Sequence, residues 1–514
     1  MSSHNHDAPG APLTGGMLWL AAIVLAAANF IAVLDMTIAN VSVANIAGNL
    51  GISSSQGTWV ITSYSVAEAI IVPLTGWLAA RFGPVRVFCC AILLFGACSA
   101  MCGLSNSLGM LVAGRVLQGL SGGPMMPLSQ TLLLRIFPKE KAAAATALWA
   151  MTTLIAPVAG PILGGWLCDN YAWPVIFFIN VPLAALFAPI AWRMLKRYEA
   201  APVRAPIDKV GLALLILFVG ALQLMLDLGK EHDWFESSLI CGLAVVAVIG
   251  FAAFLIWELT ERHPIVDLRV FRHRGYAAAV ITIAMGFGAY FAANVLTPLW
   301  LQGYMGYTAT WAGLTTAWSG VLAIVAAPMA GMLIAKTDVR RLIFFGLSWL
   351  ALMTFWRTLS TTDMTYWQIA HPLLLTGLGL PFFFVPVTAL ALGNVEEHET
   401  ASAAGLMNFL RTLSGAVATS IVTTVWDDRT AATHSELVGV LDRGGEVWNT
   451  LVNNAHVGED VARQMLDRIT QGQSVMIATN GIMCSVVLAF AISALVIWIA
   501  PRPTRAVDMS QAGH

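Results

Sequence analysis

Four ionisable side chains stand inside stretches otherwise almost free of charge. They are Asp35 in "FIAVLDMTIAN", Glu68 in "SYSVAEAIIVP", Arg115 in "GRVLQGLSGGP" and Arg411 in "NFLRTLSGA". A charge in such surroundings is costly unless it faces a cavity or an opposite charge, so each is a candidate for function or for a structural ion pair. Asp227, Glu258 and Arg357 sit at the ends of apolar runs, where water is within reach. A free aspartate titrates near 3.9, so a carboxylate that exchanges protons near neutral pH needs burial that favours its neutral form. A nearby arginine opposes that shift, and a carboxylate alternating between arginine and proton is therefore a workable switch. Asp35 and Glu68 are the candidate proton carriers, with Arg115 as relay or latch. The structural alternative is that Asp35 braces neighbouring helix ends or Asn40.

The elements that position these groups follow from composition. Of 514 residues, 58% are hydrophobic and 11% charged, against roughly 25% charged in soluble domains. Mean hydropathy is +0.75. A chain solvated by lipid must satisfy its backbone internally, which leaves helices or closed barrels. The apolar runs are long enough for helices crossing ~30 Å of hydrocarbon, and the ~10-residue alternation of a barrel is absent. An all-α membrane protein is expected. The seven cysteines lie in or beside apolar runs and read as small packing residues, with no metal-type spacing. The N-terminal "MSSHNHDAPGAPLTGG" lacks the basic region of a removable signal peptide, so the first apolar run reads as an uncleaved span.

Fourteen spans are predicted, near 17–38, 57–79, 86–104, 107–130, 142–166, 173–194, 209–228, 238–258, 276–300, 311–335, 340–359, 367–392, 402–426 and 476–500. Alternate loops hold about nineteen Lys and Arg, from Arg81 and Arg86 to Arg502 and Arg505, while the opposite short loops offer Lys230 and Arg357. The positive-inside rule then places both termini in the cytoplasm. The acidic "NVEEHET" (394–400) falls on the cytoplasmic side too, but acids count little in this rule. The polar stretch 427–475 falls on the outer face, with "EVWNTLVNNAHV" and "EDVARQMLDRI" as short amphipathic helices that cap the bundle or dock a partner.

"PLTGWLAARFGPVRV" (73–87) and "PMAGMLIAKTDVRR" (328–341) share a Pro-x-x-Gly-x-Leu-x-Ala pattern before basic residues, eight spans apart. Two six-helix bundles with two inserted spans account for that offset, and repeated halves are common in secondary transporters. The expected organisation is a tail at 1–16, a first bundle at 17–194, a linker with the inserted spans at 195–260, a second bundle at 261–500 that includes loop 427–475, and a tail at 501–514.

"APVAGPILGGW" (156–166) places Ala156, Gly160 and Gly164 four apart, with prolines interrupting the backbone ladder. Such spacing lets helices approach closely. With "LDMTIANV" (34–41), "GTWVITSY" (57–64), "GRVLQGLSGGP" (114–124), "FFINVPLA" (177–184), "LDLGKEHDWF" (226–235) and "GYTATWAGL" (306–314), the chain resembles the major facilitator superfamily in its fourteen-span drug:proton antiporter branch over nearly its whole length. The resemblance implies a two-bundle fold with alternating access. It implies export driven by inward proton flow with no cofactor, in the inner membrane, alongside a periplasmic adaptor and an outer-membrane channel. It makes Gly160, Pro161, Gly164 and Gly165 similar to the antiporter signature, and Arg115, with Gln118 and Gly119, similar to the proton-coupling motif. The gating loop of the family maps to Gly76, Arg81 and Gly83, but Ala80 stands where an aspartate is usual, and Ala44 where the span-1 motif usually ends in proline.

In that fold the cavity wall draws on Asn40, Gln118, Met126, Phe291, Asn294, Trp318, Phe383, Phe384, Asn408 and Arg411. Aromatic and Met surfaces suit flat lipophilic compounds. A lipophilic drug, detergent, uncoupler or fatty acid fits. Export of one endogenous metabolite is the alternative within transport, and a membrane sensor or scaffold the alternative outside it. No nucleotide-binding loop, metal cluster or nucleophile–base arrangement points to an enzyme.

Overall fold

The computed structural model describes residues 15–52, 54–138, 142–199, 207–229, 232–262, 264–334, 336–396, 399–443 and 458–501, and all regular structure among them is helical. In chain order the helices are α1 (Gly15–Leu50), α2 (Ser54–Ile71), α3 (Thr75–Phe82), α4 (Pro84–Gly103), α5 (Leu108–Gly122), α6 (Met125–Ile136), α7 (Ala142–Asn170), α8 (Val175–Phe178) and α9 (Asn180–Leu195). There follow α10 (Lys209–Leu228), α11 (Ser238–Thr260), α12 (Arg274–Gly303), α13 (Ala309–Ile334), α14 (Val339–Arg357), α15 (Tyr366–Leu392), α16 (Thr400–Arg443) and α17 (Glu459–Val496). Among the described residues ten helices are long and apolar enough to cross a membrane, or eleven with α2 and α3 taken as one span bent by 58°. Pro73, without an N–H, sits at that bend, and Pro124 separates α5 from α6.

Polar caps fix several starts. Asp208 accepts from the amides of Val210 and Gly211 at 3.1 and 2.9 Å, and Asp338 from Arg340 N at 3.0 Å. Each side-chain oxygen satisfies a donor that the first helical turn leaves open. At the far end of α14, Arg357 donates to Thr297 Oγ1.

Two sets of helices pack separately. α1 lies along α7, α2 along α5, and α4 against α5 and α9; in the second half α12 packs on α16 and α17, and α15 on α13 and α14. Between the sets α7 runs along α13, while α10 pairs with α11 and touches both α2 and α16. A cluster of Ala69, Val72, Leu215, Phe218, Phe254, Leu406 and Phe409 fills that second seam.

Three expectations change. Helix α1 runs on to Leu50, well past the expected end of the first span near residue 38, so Asp35 lies near the middle of the helix. The extension is polar in sequence, but Ser42 is buried and bonds back to Ile38 O at 2.9 Å. The stretch 427–475 holds no separate short helix among its described residues: 427–443 continues α16, and "EDVARQMLDRI" opens α17. No proline interrupts either helix, so the ladder continues past the apolar run; Trp426 Nε1 donates to Thr479 Oγ1 at 2.9 Å and joins the two. The segment "EVWNTLVNNAHV" lies outside the described residues. Third, Glu258 does not reach water: it is fully buried and accepts from Val266 N at 3.1 Å.

At the end bearing the basic loops, Glu399 fastens α12 to α16. Arg272 Nη2 lies 2.9 Å from Glu399 Oε1 and 3.0 Å from Glu396 Oε1, and His273 Nε2 lies 3.0 Å from Glu399 Oε2. His273, Glu396 and Glu399 bring ligand-type atoms within 4.8 Å of one another, yet the Arg272 guanidinium already sits between the carboxylates. Burial pushes the Glu399 carboxyl up, but the His273 hydrogen bond, the Glu396 amide and Arg272 outweigh it and hold it below the ordinary glutamate value.

Gly160 faces α1 so closely that a Cβ there would collide with Thr37 Oγ1, whereas Gly76 has open space. Gly160→Val should therefore lower the unfolding temperature, by the equivalent of about 1–3 kcal/mol, while Gly76→Ala should not; equal effects in thermal unfolding would contradict this packing. A carboxyl depressed in the folded state contributes stability above its ordinary value that is lost as pH falls through the folded value. The unfolding-temperature gap between wild type and Glu399→Gln should thus be constant at neutral pH and close only in acid.

Candidate functional site

Asp35 and Arg115 meet in the first half of the molecule, with side chains 1% and 0% exposed. Arg115 Nη1 donates to Asp35 Oδ2 at 2.6 Å, Gln118 Nε2 to Asp35 Oδ1 at 3.0 Å, and Asn180 Nδ2 to the same oxygen at 2.7 Å. Behind this pair, Arg115 Nε donates to Val60 O at 2.8 Å and its guanidinium lies 4.3 Å from the Tyr64 ring centroid. Ser99 Oγ accepts from Gln118 at 3.1 Å and from Asn180 at 3.0 Å, and donates to Phe177 O at 2.9 Å. One ion pair thus draws on α1, α2, α4, α5 and α9. Arg115 Nη2, Asn180 Oδ1 and the Tyr64 hydroxyl lack a hydrogen-bond partner among the described residues.

The sequence singled out Asp35, Arg115 and Gln118, but not Asn180, Ser99 or Tyr64. Asn180 stands in "FFINVPLA", a lone amide in an apolar run, and that was the available signal. Gly160 and Gly164 bring α7 against Thr37 and Ile38, two and three residues beyond Asp35, and Thr37 Oγ1 reaches Ala156 O at 3.3 Å. Gly165 is buried nearby. The side chains of Pro161 and Asn40 lie outside what the structure describes.

Glu68 does not join this pair. It is buried on α2 with Oε2 lacking a hydrogen-bond partner among the described residues, and Arg411 of α16 is a cation close enough to act on it. Arg411 is itself buried, donates to Met126 Sδ, and lies 5.7 and 5.3 Å from the Trp149 and Phe287 ring centroids; its Nε has no partner. Phe291 stacks on Phe287 at 5.5 Å and Phe384 meets Phe287 edge-on at 5.9 Å. Asn408, one turn before Arg411, is buried with neither side-chain polar atom paired. This second cluster therefore sits between the two halves, apolar and aromatic around one cation and one carboxylate.

Three expected wall residues lie elsewhere. Phe383 is fully buried against Gly286 within the second half. Asn294 donates to its own helix at Tyr290 O, 2.9 Å away, beside a cavity large enough for one water. Trp318 donates to Tyr366 OH at 2.9 Å. Gly83 turns the chain between α3 and α4 at φ 93°, where a Cβ would strike the Glu199 carboxylate, and Arg81 has no ion-pair partner among the described residues.

The family profile of the Major Facilitator Superfamily matches residues 25–419. The chain belongs to that superfamily. It is 43% identical over 496 residues to the multidrug export protein EmrB of Haemophilus influenzae, covering 96% of this chain and 97% of that one. The EmrB of Escherichia coli K12 and the fatty acid resistance protein FarB of Neisseria gonorrhoeae are each 41% identical over 496 residues, with 96% of this chain covered and 97% and 98% of theirs. Among solved structures, a bacterial homologue of the lysosomal transporter Spinster aligns over 95% of this chain and 98% of its own with TM-score 0.56 at 13% identity, a likeness of fold. A bacterial homologue of the peptide transporters PepT1 and PepT2 does so over 94% and 97% with TM-score 0.59 at 11% identity. This superfamily member is an EmrB-type multi-pass protein of the inner membrane, and a transporter rather than an enzyme.

Removing one member of a buried ion pair strands the other, at about 3–5 kcal/mol. Arg115→Met should accordingly lower the unfolding temperature sharply. The double variant Asp35→Asn/Arg115→Gln leaves no buried charge unpaired and should unfold above Arg115→Met; equal or lower values would show that the pair is not energetically coupled.

Proposed function

We propose that this protein is a proton-driven antiporter that exports lipophilic toxic compounds. The observation that carries the reading is the fully buried Asp35–Arg115 pair with its ligands from five helices. A proton on Asp35 cancels the charge that orders Arg115, Gln118 and Asn180, so protonation loosens several helix contacts in one step. Arg115 Nη2, already unpaired, gives the released guanidinium a direction in which to move. Energy comes from the proton gradient, and no cofactor is needed.

Glu68 and Arg411 form the second part of the device. They belong to opposite halves, and each has an unpaired polar atom. A carboxylate and a cation so placed favour closure of the halves when both are charged and relax it when Glu68 takes a proton. The aromatic and Met groups around Arg411 suit a lipophilic body, and the cation suits an acidic head. The names of the EmrB relatives and of FarB support drug-like and fatty-acid-like cargo.

Fourteen spans remain the reading. The runs at 107–130, 142–166 and 402–426, broken or more polar, complete the eleven apolar ones. Basic loops put both termini in the cytoplasm. The helical stretches 427–443 and 459–475 then stand on the periplasmic side. They offer a surface for a periplasmic adaptor leading to an outer-membrane channel.

The test is purified protein in liposomes under an imposed proton gradient, with lumenal pH followed as lipophilic acids, cations and neutral compounds are added. Wild type should release protons on addition of lipophilic compounds, acids above all. Asp35→Asn should cut that flux at least ~10-fold, equivalent to ~1.4 kcal/mol of lost coupling, with Asp35→Glu recovering part of it. Full flux in Asp35→Asn, or none in wild type with any compound, would contradict the proposal.

A further inference from the structure

A groove of about 460 Å³ opens on the outside of the first half, walled by Leu78, Arg81 and Phe82 of α3, Arg86 to Leu94 of α4, and Leu120, Ser121 and Pro124 at the break between α5 and α6. It belongs to neither polar cluster described above. From Arg86 to Leu94 it follows α4 over a rise of about 12 Å, close to half of the ~30 Å hydrocarbon layer. Its length is that of one leaflet.

Its chemistry is graded along that length. The deep part is apolar and faces outward: Leu94 is 57% exposed and Leu120 36%. The shallow end, at the basic face, carries Arg81 and Arg86. The connecting sequence "WLAARFGPVR" contains no acid. Among the described residues, Glu199 is the carboxylate that pairs here; it accepts from Arg86 N at 3.0 Å and lies 3.8 Å from Arg86 Nε. It offsets part of one guanidinium, and Arg86 still has a side chain 58% exposed. Arg81 has no ion-pair partner among the described residues. Two guanidiniums and one carboxylate leave an excess positive charge at headgroup depth.

We propose that this groove is a binding site for an anionic phospholipid of the cytoplasmic leaflet. One acyl chain lies along Cys90, Leu94 and Leu120, and the phosphodiester sits between Arg81 and Arg86. A basic pocket between spanning helices at this depth is the arrangement that selects acidic headgroups, and guanidinium forks match phosphate oxygens in a way that a zwitterionic headgroup's own ammonium competes against. A free phosphate would leave the apolar part unfilled. The lipid would touch α3, the segment turned by 58° from α2, and so would bear on the bend that follows the last turn of α2, where Glu68 sits.

The test is native mass spectrometry of the full-length protein released from mixed micelles of phosphatidylglycerol and phosphatidylcholine at equal concentration. Wild type should retain phosphatidylglycerol at least ~10-fold over phosphatidylcholine, a difference of ~1.4 kcal/mol. Arg81→Ala/Arg86→Ala should abolish that preference. Leu94→Trp fills a lipid-facing wall without touching a charge and should reduce retention of the bound lipid; it decides the matter should the double variant not fold. Arg262→Ala/Arg269→Ala, basic residues outside the groove, should leave retention unchanged. Equal retention of both lipids by wild type, an undiminished preference in both groove variants, or full displacement by inorganic phosphate would each overturn the proposal.

Discussion

The constraint on which the molecule depends is that a charged pair without water must be fully surrounded by its own ligands. An isolated carboxylate or guanidinium in this interior would be untenable, and even a paired one needs further hydrogen bonds to offset desolvation. Asp35 meets that demand with three donors, from Arg115, Gln118 and Asn180. Those side chains come from two other helices, α5 and α9, so their positions are set together. Close approach of α7 to α1 through Gly160, and the cation over the Tyr64 ring, are consequences of building one polar centre in an apolar bundle. Such a network is cooperative, and a proton delivered to its one anion weakens every bond made to it.

Glu68 and Arg411, at the seam between the halves, contrast with this pair. Within the first half every oxygen of Asp35 is occupied. Across the seam, Glu68 Oε2 and Arg411 Nε are not, and both Asn408 side-chain atoms are open. Buried polar atoms left unpaired in a native structure call for an explanation. Here they lie between helices of the two halves, next to Met126, Trp149 and Phe287. The inserted helix α10 seals one side of the seam by touching α2 and α16, with Ser420 Oγ donating to Leu226 O at 2.7 Å, and α7 against α13 seals the other.

Much of this was legible in the residue order because the physics is coarse. Twenty apolar residues in lipid admit little besides a helix, and a charge among them advertises itself, which is how Asp35, Arg115, Glu68 and Arg411 stood out. The ligands of the pair were harder to read. Asn180, Ser99 and Tyr64 are residue types that apolar helices also carry for packing, and only the three-dimensional meeting of five helices distinguishes them. Hydropathy also misjudged helix ends. It marks where lipid stops, not where the backbone ladder stops, so α1 ran on past the apolar stretch to Leu50 and α16 past Trp426 to Arg443. Glu258 looked like a terminal group in contact with water, yet the loop after α11 folds back and buries it. The wall residues Phe383, Asn294 and Trp318 were chosen by type, and type alone does not say which face of a buried helix meets a cavity.

The central claim is the proposed one, that the proton exchanged for cargo is carried by Asp35. The most direct measurement is proton release on binding, made by adding a transported compound to detergent-solubilised protein in unbuffered solution near neutral pH. Wild type should release protons in proportion to bound compound, and Asp35→Asn should bind the compound while releasing none from this site. Release of the same number of protons by wild type and Asp35→Asn would contradict the account.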